Sequence, residues 1–368
     1  MEHKANALQR YLEEAKKALS LHKPLCIVMG NEAADLDSMA SAVVYAWYRT
    51  ASGKEKDRLV VPFIPIPRED FRLRTEATYL FGEAGISESH LLFAEDINLA
   101  ALQAEGRLSL ILVDHNKLGK AFAALADCVI GILDHHQDEG MYAGAVERII
   151  EPVGSTTTLV AEKVLKDIPQ AVDRNIALLL SGTILLDTVN LDPAAGRVTP
   201  KDSAMAAALL PIAGKDQKTL FDRLQFEKFN VASLSTRDLL RKDYKEYLAG
   251  QVRYGMSSVL LSLEAWKLKD AHLAEELAQY AASNHLSLLI AMLAYTEPKF
   301  TRELVVYSPD PALFAKIADF LAKSDLGLAT LHAPAGSDPS RYGWYAQANE
   351  SYSRKKLQPV IQQFLEKV

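Results

Sequence analysis

Three short stretches of this sequence end apolar runs in side chains that can do chemistry. Ile132-Leu133 leads into Asp134-His135-His136, Leu108–Val113 stops at Asp114-His115-Asn116, and Leu25–Met29 runs into Gly30-Asn31-Glu32-Ala33-Ala34-Asp35-Leu36-Asp37-Ser38. A further acid, Asp187, closes Ile184-Leu185-Leu186. Hard cations such as magnesium and manganese take carboxylate oxygens, and manganese also accepts imidazole. Asp35 and Asp37, two apart in a loop or extended segment, can flank one ion or serve two. Two ions held about 3.5–4 Å apart polarise a phosphoryl group and activate water at neutral pH. A bridging carboxylate must hold two such dications together, and Asp114, from a central strand, is the natural bridge. His135 adds nitrogen ligation, and Asp134 suits a supporting role that orients a ligand or a neighbouring loop. Each residue has a plainer reading. A lone aspartate at a strand end is commonly a helix cap, and a histidine pair commonly packs or faces water. Four such ends in one domain favour a metal site.

The elements that must position these residues follow from hydrophobic periodicity. Strands are expected at 25–29, 59–64, 91–93, 108–113, 128–133 and 145–150. Helices are expected at 5–21, 38–49, 75–82, 97–103, 118–125, 155–166 and 171–186. Strands alternating with helices predict an α/β fold with a doubly wound, mainly parallel sheet. Ligands in such sheets bind beyond the carboxyl ends of the strands, where these acids lie. Pro62 places its strand at or near an edge. Residues 190–201 read as a connection and 202–212 as a helix stopped by Gly214, with a domain boundary near 214. Beyond it, helices at 236–248, 273–282, 311–321 and 355–367 and strands at 253–263, 286–295, 303–307 and 342–348 make a smaller α/β domain.

Composition narrows the function classes. A chain of 368 residues can bury two cores. Its net charge of -6 argues against binding a nucleic-acid polymer. No apolar run is long enough for a membrane span. The first twenty residues carry charges throughout and lack a signal-peptide core. Cys26 and Cys128, both in strand candidates, read as buried reduced thiols, so a cytoplasmic location is expected.

Gly30 to Ser38, Val113-Asp114-His115-Asn116, Leu133-Asp134-His135-His136 and Gly182-Thr183-Ile184-Leu185-Leu186-Asp187-Thr188 resemble, in order, the four motifs of the DHH phosphoesterase superfamily. Ser353-Arg354-Lys355-Lys356 resembles the signature of its DHH-associated second domain. The resemblance spans nearly the whole chain and points to the eukaryotic cytosolic exopolyphosphatases and animal prune proteins, with family II manganese pyrophosphatases more distant. Arg197-Val198-Thr199-Pro200-Lys201-Asp202 and Leu240-Arg241-Lys242-Asp243 also resemble prune.

That resemblance implies a DHH domain over 1–214 carrying the metal site and a substrate-binding domain over 215–368. It implies two divalent cations, manganese or magnesium: Asp35 and Asp114 would hold one, and Asp37, Asp114, His135 and Asp187 the other. His136 would contact the scissile phosphate or its nucleophile, with His115 and Asn116 beside it. Arg354 and Lys355 would face the metals across a cleft and grip the anion, with Lys242, Arg197, Lys201, Arg241 and His332 adding positive charge. Family II pyrophosphatases have histidine where this chain has Asn31, which implies one ion more weakly held or differently chosen. Vertebrate prune proteins carry arginine where this chain keeps His136, which favours exopolyphosphatase chemistry. The expected function is metal-dependent release of terminal phosphate from inorganic, short-chain polyphosphate. The alternatives are an inorganic pyrophosphatase, a cyclic-nucleotide phosphodiesterase, or a prune-like scaffold that binds protein partners and hydrolyses secondarily.

Overall fold

Five strands form one parallel sheet: β1 (Leu25–Met29), β2 (Leu59–Phe63), β3 (Leu108–Val113), β4 (Val129–Asp134) and β5 (Glu147–Ile150). This computed structural model describes residues 6–296 and 299–368. The strand order is β2-β1-β3-β4-β5. All of β1 and most of β3 and β4 are buried. That is why these segments read as continuous apolar runs rather than as alternation. Pro62 does lie on an edge strand, where its missing N–H costs no ladder bond. The order reverses between β1 and β3, so the crevice of this doubly wound sheet opens beyond their carboxyl ends.

The helix Leu36–Ala51 buries nearly its whole circumference because it packs against the sheet and the helices Thr156–Asp167 and Arg174–Asp187. It begins earlier than expected, with Asp35 as its N-cap. Asp37 therefore sits in a first helical turn rather than an extended segment. Asp187 ends the helix Arg174–Asp187 and so reaches the crevice from the helix expected at 171–186. Between β3 and β4 the expected helix is a 3-10 segment, Lys120–Cys128, which ends on Cys128. Cys128 is thus half-buried outside the strand, while Cys26 is buried as expected.

The chain divides into two compact units, 1–228 and 229–368. The helix Gln217–Phe229, for which no element was anticipated, packs Leu220 and Leu224 into the first core. The first unit therefore continues past Gly214.

In the second unit, β6 (Tyr244–Ala249), β7 (Val252–Val259), β8 (Leu288–Tyr295), β9 (Thr301–Tyr307), β10 (Leu328–Thr330) and β11 (Tyr342–Gln347) form a sheet in the order β10-β11-β9-β8-β7-β6. Only β7 and β8 are parallel neighbours. Alternation in β8 sends Leu289, Ala291 and Leu293 to one core and Leu288, Ile290 and Met292 to the other. The single helix expected at 236–248 is instead a short helix, Thr236–Lys242, followed by the edge strand β6. Charges at Lys245 and Glu246, exposed on that edge, gave the strand a helical look. Among the described residues, no helix is long and apolar enough to cross a membrane.

Candidate metal centre

A cleft of about 520 Å³ lies at the sheet's reversal point, lined by Asp35, Asp37, Asp114, His135, His136 and Asp187. Pro152, Val153 and Gly154 line one wall, and Gly196, Arg197, Val198 and Thr199 another. Seven of the expected residues thus converge: six from the ends of β1, β3 and β4 and from one helix end, and Arg197 from the connection that follows that helix.

Each acid is held differently. Asp35 Oδ1 accepts the Ser38 N–H at 3.0 Å, so the residue caps its helix and still faces the cleft. Asp37 is buried at the start of the helix Thr156–Asp167. Its Oδ2 accepts the Thr156 N–H at 2.7 Å, and its Oδ1 accepts the Thr157 N–H at 2.8 Å and the Thr157 hydroxyl at 2.5 Å. Asp114, 2% exposed, has φ +62, a left-handed conformation that non-glycine residues adopt at a price in strain. Its Oδ2 accepts from Asn31 Nδ2 at 2.8 Å and its Oδ1 from the Thr156 hydroxyl at 3.3 Å. Asp187 Oδ2 is a buried atom without a well-formed hydrogen bond, although the nearby Ser155 hydroxyl lowers its carboxyl. Burial and the charges of Asp37 and Asp35 push the carboxyls of Asp114 and Asp187 well above the usual carboxylate range. Partial desolvation and Asp37 raise Asp35 as well, although the residue stays open to solvent on one side.

The histidines are oriented by what their Nδ1 atoms touch. His135 Nδ1 lies 2.9 Å from the Val153 carbonyl, which can only accept, so Nδ1 carries the proton. Nε2 then faces Asp114 Oδ1 at 3.3 Å and Asp37 Oδ2 at 3.9 Å. A hydrogen-bonded outer nitrogen with a free inner one is the usual posture of a metal-binding histidine. His136 Nδ1 lies 2.8 Å from Asp134 Oδ1, and its side chain is 57% exposed. That hydrogen bond, against partial desolvation, raises the imidazole above its usual value. Asp134 is fully buried; its burial would raise it, but the bonds from His136 and Asn116 hold it low. Asp114, His135 and His136 present ligand atoms within 4.8 Å of one another.

Apart from Arg197, which lines the cleft, other expected residues lie elsewhere. Asn31 does not line the cleft: its Oδ1 accepts from the Ala33 and Ala34 N–H groups, each at 3.0 Å, while its amide nitrogen reaches Asp114. His115 turns Nδ1 to the Val113 carbonyl at 2.9 Å, and burial lowers its imidazole. Asn116 ties Asp134 to the next turn, donating to Asp134 Oδ2 at 2.5 Å and to the Gln137 carbonyl at 3.0 Å. Lys201 pairs with Glu151 and Glu162, at 2.6 and 3.0 Å, and is not among the cleft-lining residues. In the second unit, Arg354 donates to the backbone carbonyl and carboxylate of Asp243 at the start of the helix Arg354–Leu365, and Lys355 is exposed. The Leu240–Asp243 and Ser353–Lys356 motifs are thereby joined, with Lys242 beside the pair.

Thr156, Thr157 and the Val153 carbonyl escaped sequence reasoning. The run Gly154-Ser155-Thr156-Thr157-Thr158 was the available signal, a small residue and hydroxyls at a helix start.

A buried carboxylate oxygen without a well-formed hydrogen bond, two further carboxylates crowded against it and an imidazole nitrogen aimed among them fit a divalent cation. A cation supplies Asp187 with a full partner and relieves the mutual repulsion.

Comparison with known proteins gives a consistent picture. Residues 26–183 match the family model of the DHH family, N-terminal domain, and residues 222–364 that of the DHHA2 domain. Exopolyphosphatase PRUNE1 of Rattus norvegicus is 38% identical over 363 residues, covering 97% of this chain and 79% of that protein. A putative exopolyphosphatase of Schizosaccharomyces pombe is 34% identical, covering 93% of this chain and 91% of that one. A manganese-dependent inorganic pyrophosphatase of Methanothrix thermoacetophila is 26% identical over 270 residues, covering 72% and 80%.

Proposed function

This chain belongs to the DHH family of exopolyphosphatase and prune proteins, and on that premise we propose a metal-dependent exopolyphosphatase that releases terminal phosphate from short inorganic polyphosphate. The observation that supports the metal most directly is the buried Oδ2 of Asp187, without a well-formed hydrogen bond among the crowded acids of the cleft. In this reading Asp35, Asp37, Asp114, His135 and Asp187 would hold two divalent cations, manganese or magnesium. Bound there, such cations supply Lewis-acid polarisation of a phosphoryl oxygen and activation of water.

The chain's own residues do the rest. Asp37 is fixed by the helix start, so its oxygens cannot follow a displaced ligand. His135 offers Nε2 because Val153 keeps the proton on Nδ1. His136 holds a proton on Nδ1 toward Asp134, so its Nε2 is the atom turned to the substrate. Asp134 raises the basicity of His136, so a proton on Nε2 would be the one it donates to a phosphoryl or leaving oxygen.

Pyrophosphatase is the second reading, favoured by the similarity to the archaeal pyrophosphatase. Phosphate release from tripolyphosphate, pyrophosphate and a cyclic nucleotide, each with and without manganese, separates them. Manganese-dependent release fastest from tripolyphosphate is expected. Turnover confined to pyrophosphate, or to the cyclic nucleotide, would replace the first reading.

A further inference from the structure

The segment Arg197–Asp202 does more than connect two helices. Asp202 is fully buried and accepts five hydrogen-bond contacts at once. Its Oδ2 accepts the Thr199 N–H at 2.7 Å and the Thr199 hydroxyl at 2.6 Å, which caps the helix Pro200–Ala213. A cap requires nothing more. Yet both carboxylate oxygens also accept the Gly154 N–H, at 3.0 and 2.9 Å, and Oδ1 accepts the Thr158 hydroxyl at 2.6 Å. One residue earlier, Lys201 ion-pairs Glu151 at 2.6 Å. Consecutive residues therefore grip both ends of Glu151-Pro152-Val153-Gly154. The approach is close: a Cβ on Gly154 would lie 2.5 Å from Thr188 Cγ2, 2.7 Å from the Arg197 carbonyl oxygen and 3.1 Å from the Asp202 carboxyl carbon. Only glycine lets the segment sit there.

The middle of the gripped stretch is Val153, whose carbonyl accepts the His135 Nδ1 proton. We infer that Asp202 is a positioning residue for the metal centre: by fixing Gly154 it fixes the Val153 carbonyl, and with it the tautomer and direction of His135. This rests on the reading of His135 as a metal ligand. If the carbonyl drifts, the neutral ring is free to carry its proton on Nε2, which then presents a hydrogen where the lone pair is needed. An asparagine at 202 would turn a donor amide toward an N–H group and loosen the grip while keeping the side-chain shape.

The test is manganese affinity, measured by isothermal titration on wild type, Asp202→Asn, His135→Ala and the double variant, with ¹⁵N shifts of His135 recorded on the chelated proteins at alkaline pH. Asp202→Asn is expected to weaken manganese binding roughly tenfold, the lower end of what loss of a ligand's outer partner costs. The loss should vanish in the His135→Ala background, and the ¹⁵N shifts should show the Nε2–H tautomer gaining. Equal losses in both backgrounds, or unchanged affinity and tautomer in a folded Asp202→Asn, overturn the inference. Should Asp202→Asn not fold, Thr158→Val removes one bond to the same carboxylate and must show a smaller loss of the same kind, again dependent on His135. Unchanged manganese affinity in His135→Ala alone would instead remove the metal-centre reading, and this inference with it.

Discussion

Asp187 Oδ2 is buried without a well-formed hydrogen bond, and Asp187 has its basicity raised by burial and by Asp37 and Asp35. Such a carboxylate is satisfied by a cation, or by a proton when the cation is removed. Asp187→Asn should therefore weaken manganese binding by about tenfold or more, while the chelated variant melts no lower than chelated wild type. A large fall in melting temperature with unaltered metal affinity would show Asp187 to be a packing residue. Asn31 has a different consequence. Its amide nitrogen donates to Asp114 and its oxygen caps the loop, so neither atom is offered to a metal. Asn31→His replaces a donor with a potential ligand and should tighten manganese binding and shift preference toward pyrophosphate. If titration finds the same affinity and assays the same substrate ratio, residue 31 has no part in the site.

At the scale of elements, the strand ends were legible because parallel strands are buried on both faces and stop abruptly where the chemistry begins. The chain could be read up to Asp114, Asp134 and Asp35 for that reason. It could not be read at Asp37, because whether the helix starts at 36 or 38 depends on a cap, and Asp35 caps the helix while lining the cleft. Nor could the support of His135 be read, since a backbone carbonyl leaves no mark on composition. Charged β6 looked helical for want of knowing its pairing with β7. The contact between Arg354 and Asp243 joins two motifs that sequence left unconnected. It also gives the helix start Ser353–Lys356 a fixed geometry. Arg354→Ala should raise KM for tripolyphosphate about tenfold to a hundredfold, the range for a lost charge-assisted contact, with a smaller change in bound manganese. Wild-type kinetics from Arg354→Ala and from Lys355→Ala would reduce the cluster to a solvated helix start.

For the whole molecule, crowding of acids in the first unit should set the pH dependence of the metal-free protein. Asp35, Asp114 and Asp187 are all raised, so the folded chain keeps protons there that the unfolded chain has released. Stability then falls as pH rises above the ordinary carboxylate range, and it recovers on acidification into that range. His136, raised by Asp134, acts in the same direction, its contribution present below the ordinary histidine value and lost as pH rises through its own, while His115, lowered by burial, opposes the three acids as a single group. The chelated protein should melt at a lower temperature near pH 7 than near about pH 5, and saturating manganese should flatten or reverse that slope. A chelated protein whose melting temperature climbs steadily over that interval would contradict this. The central claim, that Asp114 holds the cations on which turnover depends, is tested most directly with Asp114→Asn. Asparagine tolerates the left-handed backbone at this position better than alanine does, so the fold should survive. Phosphate release from tripolyphosphate and protein-bound manganese are measured together on the folded variant: the prediction is no detectable turnover with manganese well below the wild-type content, and the contradicting result is substantial turnover.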